Sequence, residues 1–430
     1  MDILAEFNRY IEFLCEALQH ADRKVGFQDY CRGLMLPIQR KSVEPLAAHT
    51  DPLHVGAKHQ SLHHLVAKAG WSDSAVMARV RDWVLPHLGL EKGCYWIIDD
   101  TGFPKKGNHS VGVARQYCGQ LGKQDNCQVA VSLSLASEHG SLPVAYQLYL
   151  PRDWATDPQR RKKAGVPEDI AFATKPEIAL AQLRQAVVSG LPVGVVLADA
   201  GYGDETAFRD GITTLGLLYA VGIRPATTVW GPNTAPLPPK PWSGRGNRPK
   251  RLRREPGCQP VAVKTLALSL PPQAYRIVTW REGTNSELSS RFASVRVRPA
   301  HRDYEGTTMR AEEWLLIEWP QGEAEPAKYF LSTAPADATL EQLIFVTKMR
   351  WRIERDYQDL KQEVGLTHYE GRGWRGFHHH ATLCIAAYGY LVATRLDQSR
   401  SKKNGAQPEA PSLPSGYVPR GGRARTAPCT

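Results

Sequence analysis

Four acids stand where their surroundings could put them to chemical use. Asp99 and Asp100 end the apolar run that begins at Cys94, and Asp199 follows Val195-Val196-Leu197-Ala198 and precedes the small residues Ala200, Gly201 and Gly203. Glu354 lies inside the segment RWRIERDYQDLK. Carboxylates that converge on one point can hold two metal ions roughly 4 Å apart, which clamp the attacking and leaving oxygens of a phosphodiester. Mg²⁺ suits that task because it takes a few carboxylates, waters and substrate oxygens rather than a closed protein cage, and Mn²⁺ is expected to substitute for it. Acids at the carboxyl ends of neighbouring strands meet at one edge of a sheet, where α/β folds bind ligands. Taken singly, each acid has a plainer reading. Asp99 or Asp100 alone is a solvated turn residue, Asp199 before Gly201-Tyr202-Gly203 a phosphate or sugar loop, and Glu354 a surface helix acid. Neighbours on a strand face opposite ways, so only one of Asp99 and Asp100 can readily join the other two. The same geometry rules out a two-carboxylate glycosidase built on that pair.

Cations surround the third acid. Arg350 stands four residues before Glu354 and Lys361 seven after, on one helix face. Such side chains can hold phosphates of the strand being cut, which positions DNA without reading its sequence. A second basic tract, 244–254, packs Arg245, Arg248, Lys250, Arg251, Arg253 and Arg254 beside Trp242 and reads as an arm along a phosphate backbone, or more plainly as a solvated loop. Trp374, between Arg372 and Arg375, suits stacking on an unpaired base, or a buried anchor. His378-His379-His380 read as capping, phosphate contact or packing rather than as a metal site.

The elements that must position these groups fall into five stretches. Residues 1–90 repeat apolar side chains at helix spacing (Phe7, Ile11, Leu14, Leu18; Val76, Val80, Val84), with Trp71-Ser72-Asp73-Ser74 as a turn into a capped helix. This helical domain reads as a reader of DNA ends or a packing unit. Residues 91–223 give three strands, a helix at 175–189, a strand, a helix and a strand, the order of a mixed sheet with helices on its faces. Residues 224–336 are β-rich and read as an insertion. Helical spacing returns over 337–397, with one helix expected across 339–366 and another across 377–395. The stretch 398–430, rich in Pro, Gly, Ser and basic residues, reads as a disordered tail. The chain of 430 residues carries 54 Lys+Arg against 43 Asp+Glu. The excess lies in the second half, since residues 223–336 hold 17 basic and 10 acidic side chains whereas 1–90 hold 10 of each. That asymmetry favours a polyanionic partner. Eight cysteines without a CxxC pair read as reduced thiols. The start carries Asp2 and Glu6 rather than a basic signal-peptide region. The longest apolar stretch, 383–393, falls short of the ~20 residues a membrane span needs. A cytoplasmic location with no membrane partner is expected.

The combination of these motifs resembles the cut-and-paste DDE transposases of bacterial insertion sequences. Arg350, Glu354 and Lys361 match their Y-x2-R-x3-E-x6-K signature, with Thr347 standing where the signature has Tyr. WIIDDTGFPKKG resembles their first-acid strand, in which the acid precedes Thr or Gly, and LADAGYG resembles their second-acid segment. The likeness covers roughly residues 90–395. It implies a ribonuclease-H-like α/β core interrupted by a β-rich insertion, and Asp100, Asp199 and Glu354 as metal ligands. It also implies Arg350 and Lys361 as phosphate contacts, and a dimer on double-stranded DNA, at the nucleoid when bound, that cuts element ends and joins them to target DNA. A nuclease of the same core that never joins strands, or a non-catalytic DNA-binding descendant, remains an alternative.

Overall fold

The computed structural model describes residues 3–282 and 287–402. The helix spacing of the first stretch becomes five helices, α1 (Ile3–Cys15), α2 (Asp22–Met35), α3 (Val43–Thr50), α4 (Val55–Ala67) and α5 (Asp73–Leu88). Ser72 caps α5 as expected, its side chain accepting from the Ala75 amide at 3.2 Å.

The sheet begins with β1 (Tyr95–Pro104), a short β2 (Ala114–Cys118), the long β3 (Lys123–Ala136) and β4 (Ser141–Leu148). Two short helices, α6 (Arg152–Ala155) and α7 (Pro158–Ala164), lead to α8 (Lys175–Val188), which Thr174 and Glu177 open with a reciprocal capping box. Next come β5 (Val195–Ala198), the single turn α9 (Ala200–Gly203), α10 (Thr206–Thr214) and β6 (Tyr219–Ile223). β3 pairs antiparallel with both β1 and β4, while β5 and β6 run parallel to β1. The core order β4-β3-β1-β5-β6 is thus the mixed, ribonuclease-H-like sheet that was expected, with α8 and α10 as the crossovers.

The stretch read as an insertion adds β7 (Thr228–Trp230), β8 (Val261–Ala262), α11 (Val263–Ser269), β9 (Arg276–Glu282), β10 (Glu287–Pro299), β11 (Glu313–Trp319) and β12 (Lys328–Ser332). Its strands do not form a separate layer. β12 pairs antiparallel with β6, and β11 and β10 follow, so one sheet of 12 strands runs from the core into the added segment.

The helical return is split. Instead of one helix over 339–366, α12 (Leu340–Lys348) and α13 (Trp351–Gln362) meet at Met349-Arg350. Last comes α14 (Trp374–Lys402), which starts before and ends after the 377–395 expected for it and runs through the first residues assigned to the tail. The rest of that tail, 403–430, lies outside the described residues. Apolar side chains of α14 such as Leu383, Ile385, Ala386 and Ala387 are fully buried in one core with Tyr10, Tyr30, Val80 and Val84 of α1, α2 and α5. The Tyr10 hydroxyl donates to the Ala386 carbonyl at 2.7 Å. The N-terminal helices therefore enclose a helix of the chain's other end. Among the described residues no helix is long and apolar enough to cross a membrane.

Candidate active site

The side chains of β1 alternate between two cores. Trp96 and Ile98 pack with Ile178 and Leu183 of α8, whereas Tyr95 and Ile97 pack with Val346, Met349 and Ile353 from α12, α13 and their joint. Continued by two residues, that alternation places Asp100 on the α8 face and Asp99 on the α12–α13 face. β5 lies beside β1 with Ile97 opposite Leu197 in parallel register. Two residues on, Asp99 and Asp199 become neighbours over the same face. Asp199 caps α9, its Oδ1 accepting from the Gly201 amide at 2.9 Å. The turn closes tightly over β6, since a Cβ on Gly203 would stand 2.1 Å from the Gly222 carbonyl oxygen. The buried Arg209 fixes it further by donating to the Gly203 carbonyl at 2.5 Å.

Arg350, at the joint between α12 and α13, links the acids. Its Nη1 lies 2.7 Å from Asp99 Oδ2 and its Nη2 2.8 Å from Glu354 Oε1. Burial, with the charges of Asp199 and Asp100 adding to it and that of Arg350 opposing, pushes Asp99 up to about 7. Arg350 is held above its ordinary value by Asp99, Glu354 and Asp199, although its burial works the other way. Tyr357 of α13 is buried against the same cluster and bonds Ser132 of β3 at 2.8 Å. Lys361 lies farther along β1, donating to the Gly102 carbonyl at 3.1 Å and to Gln120 Oε1 at 3.2 Å.

The expectation that Asp100 joins Asp199 and Glu354 meets a different geometry. Asp100 Oδ2 turns to Lys175 Nζ at 2.6 Å and accepts from the Tyr202 hydroxyl at 3.3 Å, on the far face of β1. The cause is strand alternation, which gives the shared face to Asp99. Lys175 and Tyr202 are the members of this neighbourhood that sequence reasoning missed. Lys175 had no signal beyond opening α8, and Tyr202 appeared only as part of the loop after Asp199. Thr347, where the family signature has Tyr, is buried and bonds back to the Leu343 carbonyl at 2.7 Å.

Among the described residues no three His, Cys, Asp or Glu side chains stand in position to hold a metal ion together. The guanidinium of Arg350 lies between Asp99 and Glu354 instead. The chemistry of the donors nevertheless fits a hard divalent cation, with one carboxylate on β1, a second just past the adjacent parallel strand β5 and a third on the helix facing them. Asp99 is a carboxylate whose charge is opposed where it stands, and a cation beside it and Asp199 would relieve both the burial and the repulsion.

The remaining candidates divide. Arg245, Arg248, Lys250 and Arg251 are exposed. Arg253 is half-buried, donating to the Pro238 carbonyl at 2.9 Å. Arg254 is committed elsewhere, bonded at 2.5 Å to the buried Asp303, which also accepts from Trp230 Nε1. Trp374, expected to stack on a base, is 8% exposed and packs on the His378 ring at 4.4 Å, because it opens a helix whose first turn faces the bundle core. The three histidines also serve packing. His379 stacks on Trp71 with centroids 3.7 Å apart, and His380 bonds the Tyr30 hydroxyl at 3.0 Å and the Gly365 carbonyl at 3.1 Å.

Comparison with known proteins places the chain in a family. Over 166 residues the chain is 33% identical to the probable transposase for insertion sequence element IS701 of Microchaete diplosiphon, a match spanning 38% of this chain and 40% of that relative. Among solved structures, the piggyBac transposase in a cryo-EM synaptic complex with hairpin DNA aligns with 90% of this chain and 69% of its own, at 10% identity and a TM-score of 0.44. The family model of DDE superfamily endonucleases matches residues 13–287, well over half of the chain, and the chain belongs to that family.

Proposed function

We propose that the chain is a transposase that cuts DNA with Mg²⁺ held by Asp99, Asp199 and Glu354, with Mn²⁺ able to substitute, and that joins the freed 3′-hydroxyl to target DNA as a dimer on the ends of its element. The observation that carries this reading is the convergence of Asp99 and Asp199 over one sheet face, tied through Arg350 to Glu354. When bound, the metal would lower the pKa of the attacking water and stabilise the charge developing on the phosphodiester.

The chain's own residues supply positioning. Once the carboxylates have another cation, Arg350 loses its two present partners and can take a phosphate oxygen of the strand being cut. Lys361, one polar contact away from solvent at Gln120, lies beside the same strand of the sheet and can hold a second phosphate. Asp100 acts from the other face, where Lys175 and Tyr202 anchor the middle of β1, four residues before its end at Pro104, against α8 and α9. Arg245, Arg248, Lys250 and Arg251 form an exposed arm for more distant phosphates. This arrangement favours Asp99 over Asp100 as the first ligand.

The test is strand cleavage of a duplex carrying the DNA that flanks the gene on either side, with Mg²⁺, with Mn²⁺ and with excess chelator. Cleavage with either ion and none with chelator is expected; undiminished cleavage in chelator would sink the metal mechanism. Joined products in the same reaction separate a transposase from a nuclease that only cuts.

A further inference from the structure

A groove of about 780 Å³ lies at the far end of β1 from the acids, where three distant parts of the chain meet. Arg40 comes from the connection between α2 and α3 in the helical domain. Lys105, Lys106 and His109 come from the loop after β1, and His368, Glu370 and Arg372 from the connection between α13 and α14. Four permanent cations thus face one acid, and that acid, Glu370, is paired with Arg40. Lys106, His109 and Arg372 are exposed. The groove is also built rather than incidental. Lys105 Nζ donates to the Tyr369 carbonyl at 3.2 Å, the Val111 amide donates to the Arg372 carbonyl at 3.0 Å, and the Lys41 amide donates to His368 Nδ1 at 3.0 Å. These bonds tie all three segments together.

Its placement relative to the acids gives it meaning. Six residues of extended chain separate Asp99 from Lys105, roughly 20 Å at the rise of a strand. Lys361 lies between, at Gly102. A duplex laid along β1 with its scissile phosphate at Asp99 advances by about 3.4 Å per base pair, so in that orientation its backbone would reach the groove about six base pairs from the cut.

We propose that this groove binds the phosphate backbone of double-stranded DNA about six base pairs from the scissile phosphate, and that the helical domain takes part through Arg40. The proposal rests on the DNA-cleaving reading for its distance from the cut, but the groove's own affinity needs neither metal nor catalysis. Glu370 opposes the ligand: its carboxylate neutralises Arg40 and repels phosphate.

The test is binding of a mixed-sequence DNA duplex to the full chain in chelator, at a series of salt concentrations, since phosphate contacts are independent of sequence. Lys106→Ala with Arg372→Ala removes two exposed side chains and should flatten the slope of log K against log salt by up to ~1.8, about 0.9 for each contact. Glu370→Gln should move the other way and tighten binding. Phosphate-ethylation interference on a cleavable end should mark a cluster roughly six base pairs from the cut, a cluster that the double variant loses. Unchanged slopes and affinities in both variants, with wild type still cleaving, would overturn the groove and leave the active site standing. Failure of wild type to cleave any end would instead remove the cleavage reading, while opposite shifts in the two variants would still establish the groove. Weaker binding of a single strand of the same length in the double variant, with duplex binding unchanged, would assign the groove to single strands and also overturn the proposal.

Discussion

Replacing one carboxylate at a time by its amide separates the two faces of β1. Asp99→Asn, Asp199→Asn and Glu354→Gln should each lower metal-dependent nicking by roughly three orders of magnitude or more, as expected when several kcal/mol of charge stabilisation are lost. Asp100→Asn should leave nicking measurable and lower thermal stability only slightly, because the pair it breaks with Lys175 is partly exposed. A dead Asp100→Asn beside an active Asp99→Asn would reverse the assignment. The acid motifs were legible in the sequence because carboxylates past apolar strands are unusual in combination. The choice between neighbours was not, since it depends on which helix covers which face. Burial supplies a second test at this scale. His380 is fully enclosed and its pKa is pushed down to about 4, chiefly by that burial. Between about 4 and the ordinary 6.5 the unfolded chain binds the extra proton, so this residue's contribution to stability falls as pH drops through that window. Asp73, Asp99 and Asp356, whose pKa values burial raises, pull the opposite way over much of the same range. The readout is therefore the difference between wild type and His380→Gln in unfolding free energy, followed from pH 7 down to 4. That difference should shrink towards acid by on the order of 3 kcal/mol, and a constant difference would show that His380 titrates normally.

Among the elements, the basic tract of the added strands holds two kinds of arginine that look alike in sequence. Arg254 neutralises the buried Asp303 between Ala300 and Trp230, whereas Arg251 stands in solvent. Arg254→Ala should cost about 3 kcal/mol or more, the usual consequence of leaving a buried charge alone. Arg251→Ala should change stability by no more than ~0.5 kcal/mol. Thermal unfolding of the two variants checks this, and equal melting would mean the Asp303 pair carries no weight. Helix and strand boundaries were largely readable: α8 and β10 to β12 follow from their apolar spacing. The break between α12 and α13 was not. No proline or glycine marks it, and the apolar period runs on through Met349, so only packing of Arg350 against Asp99 and Glu354 singles out the joint.

At the scale of the whole molecule, the helical domain and α14 form one bundle. Removing residues 1–92 should expose the apolar side of α14 that now contacts Tyr10, Tyr30 and Val84. The remainder is expected to elute as aggregates on gel filtration, and a well-behaved monomer would show that the domain is dispensable. Sequence could not reveal this union, because the partners lie more than 300 residues apart and each helix looks complete alone. The continuous sheet was hidden for the same reason: nothing local in β12 names β6 as its neighbour. That continuity limits how such a chain can vary in length. β6 is buried along all of its residues and hydrogen-bonds β5 on one side and β12 on the other. Excising 224–336 as a cassette would leave an apolar strand with a bare row of amides and carbonyls, a template for pairing with any passing chain. Only the outermost pieces, around β7, β8 and β9, can be trimmed or lengthened without opening that seam. Natural variation in size should collect there, while the strand beside β6 stays in place.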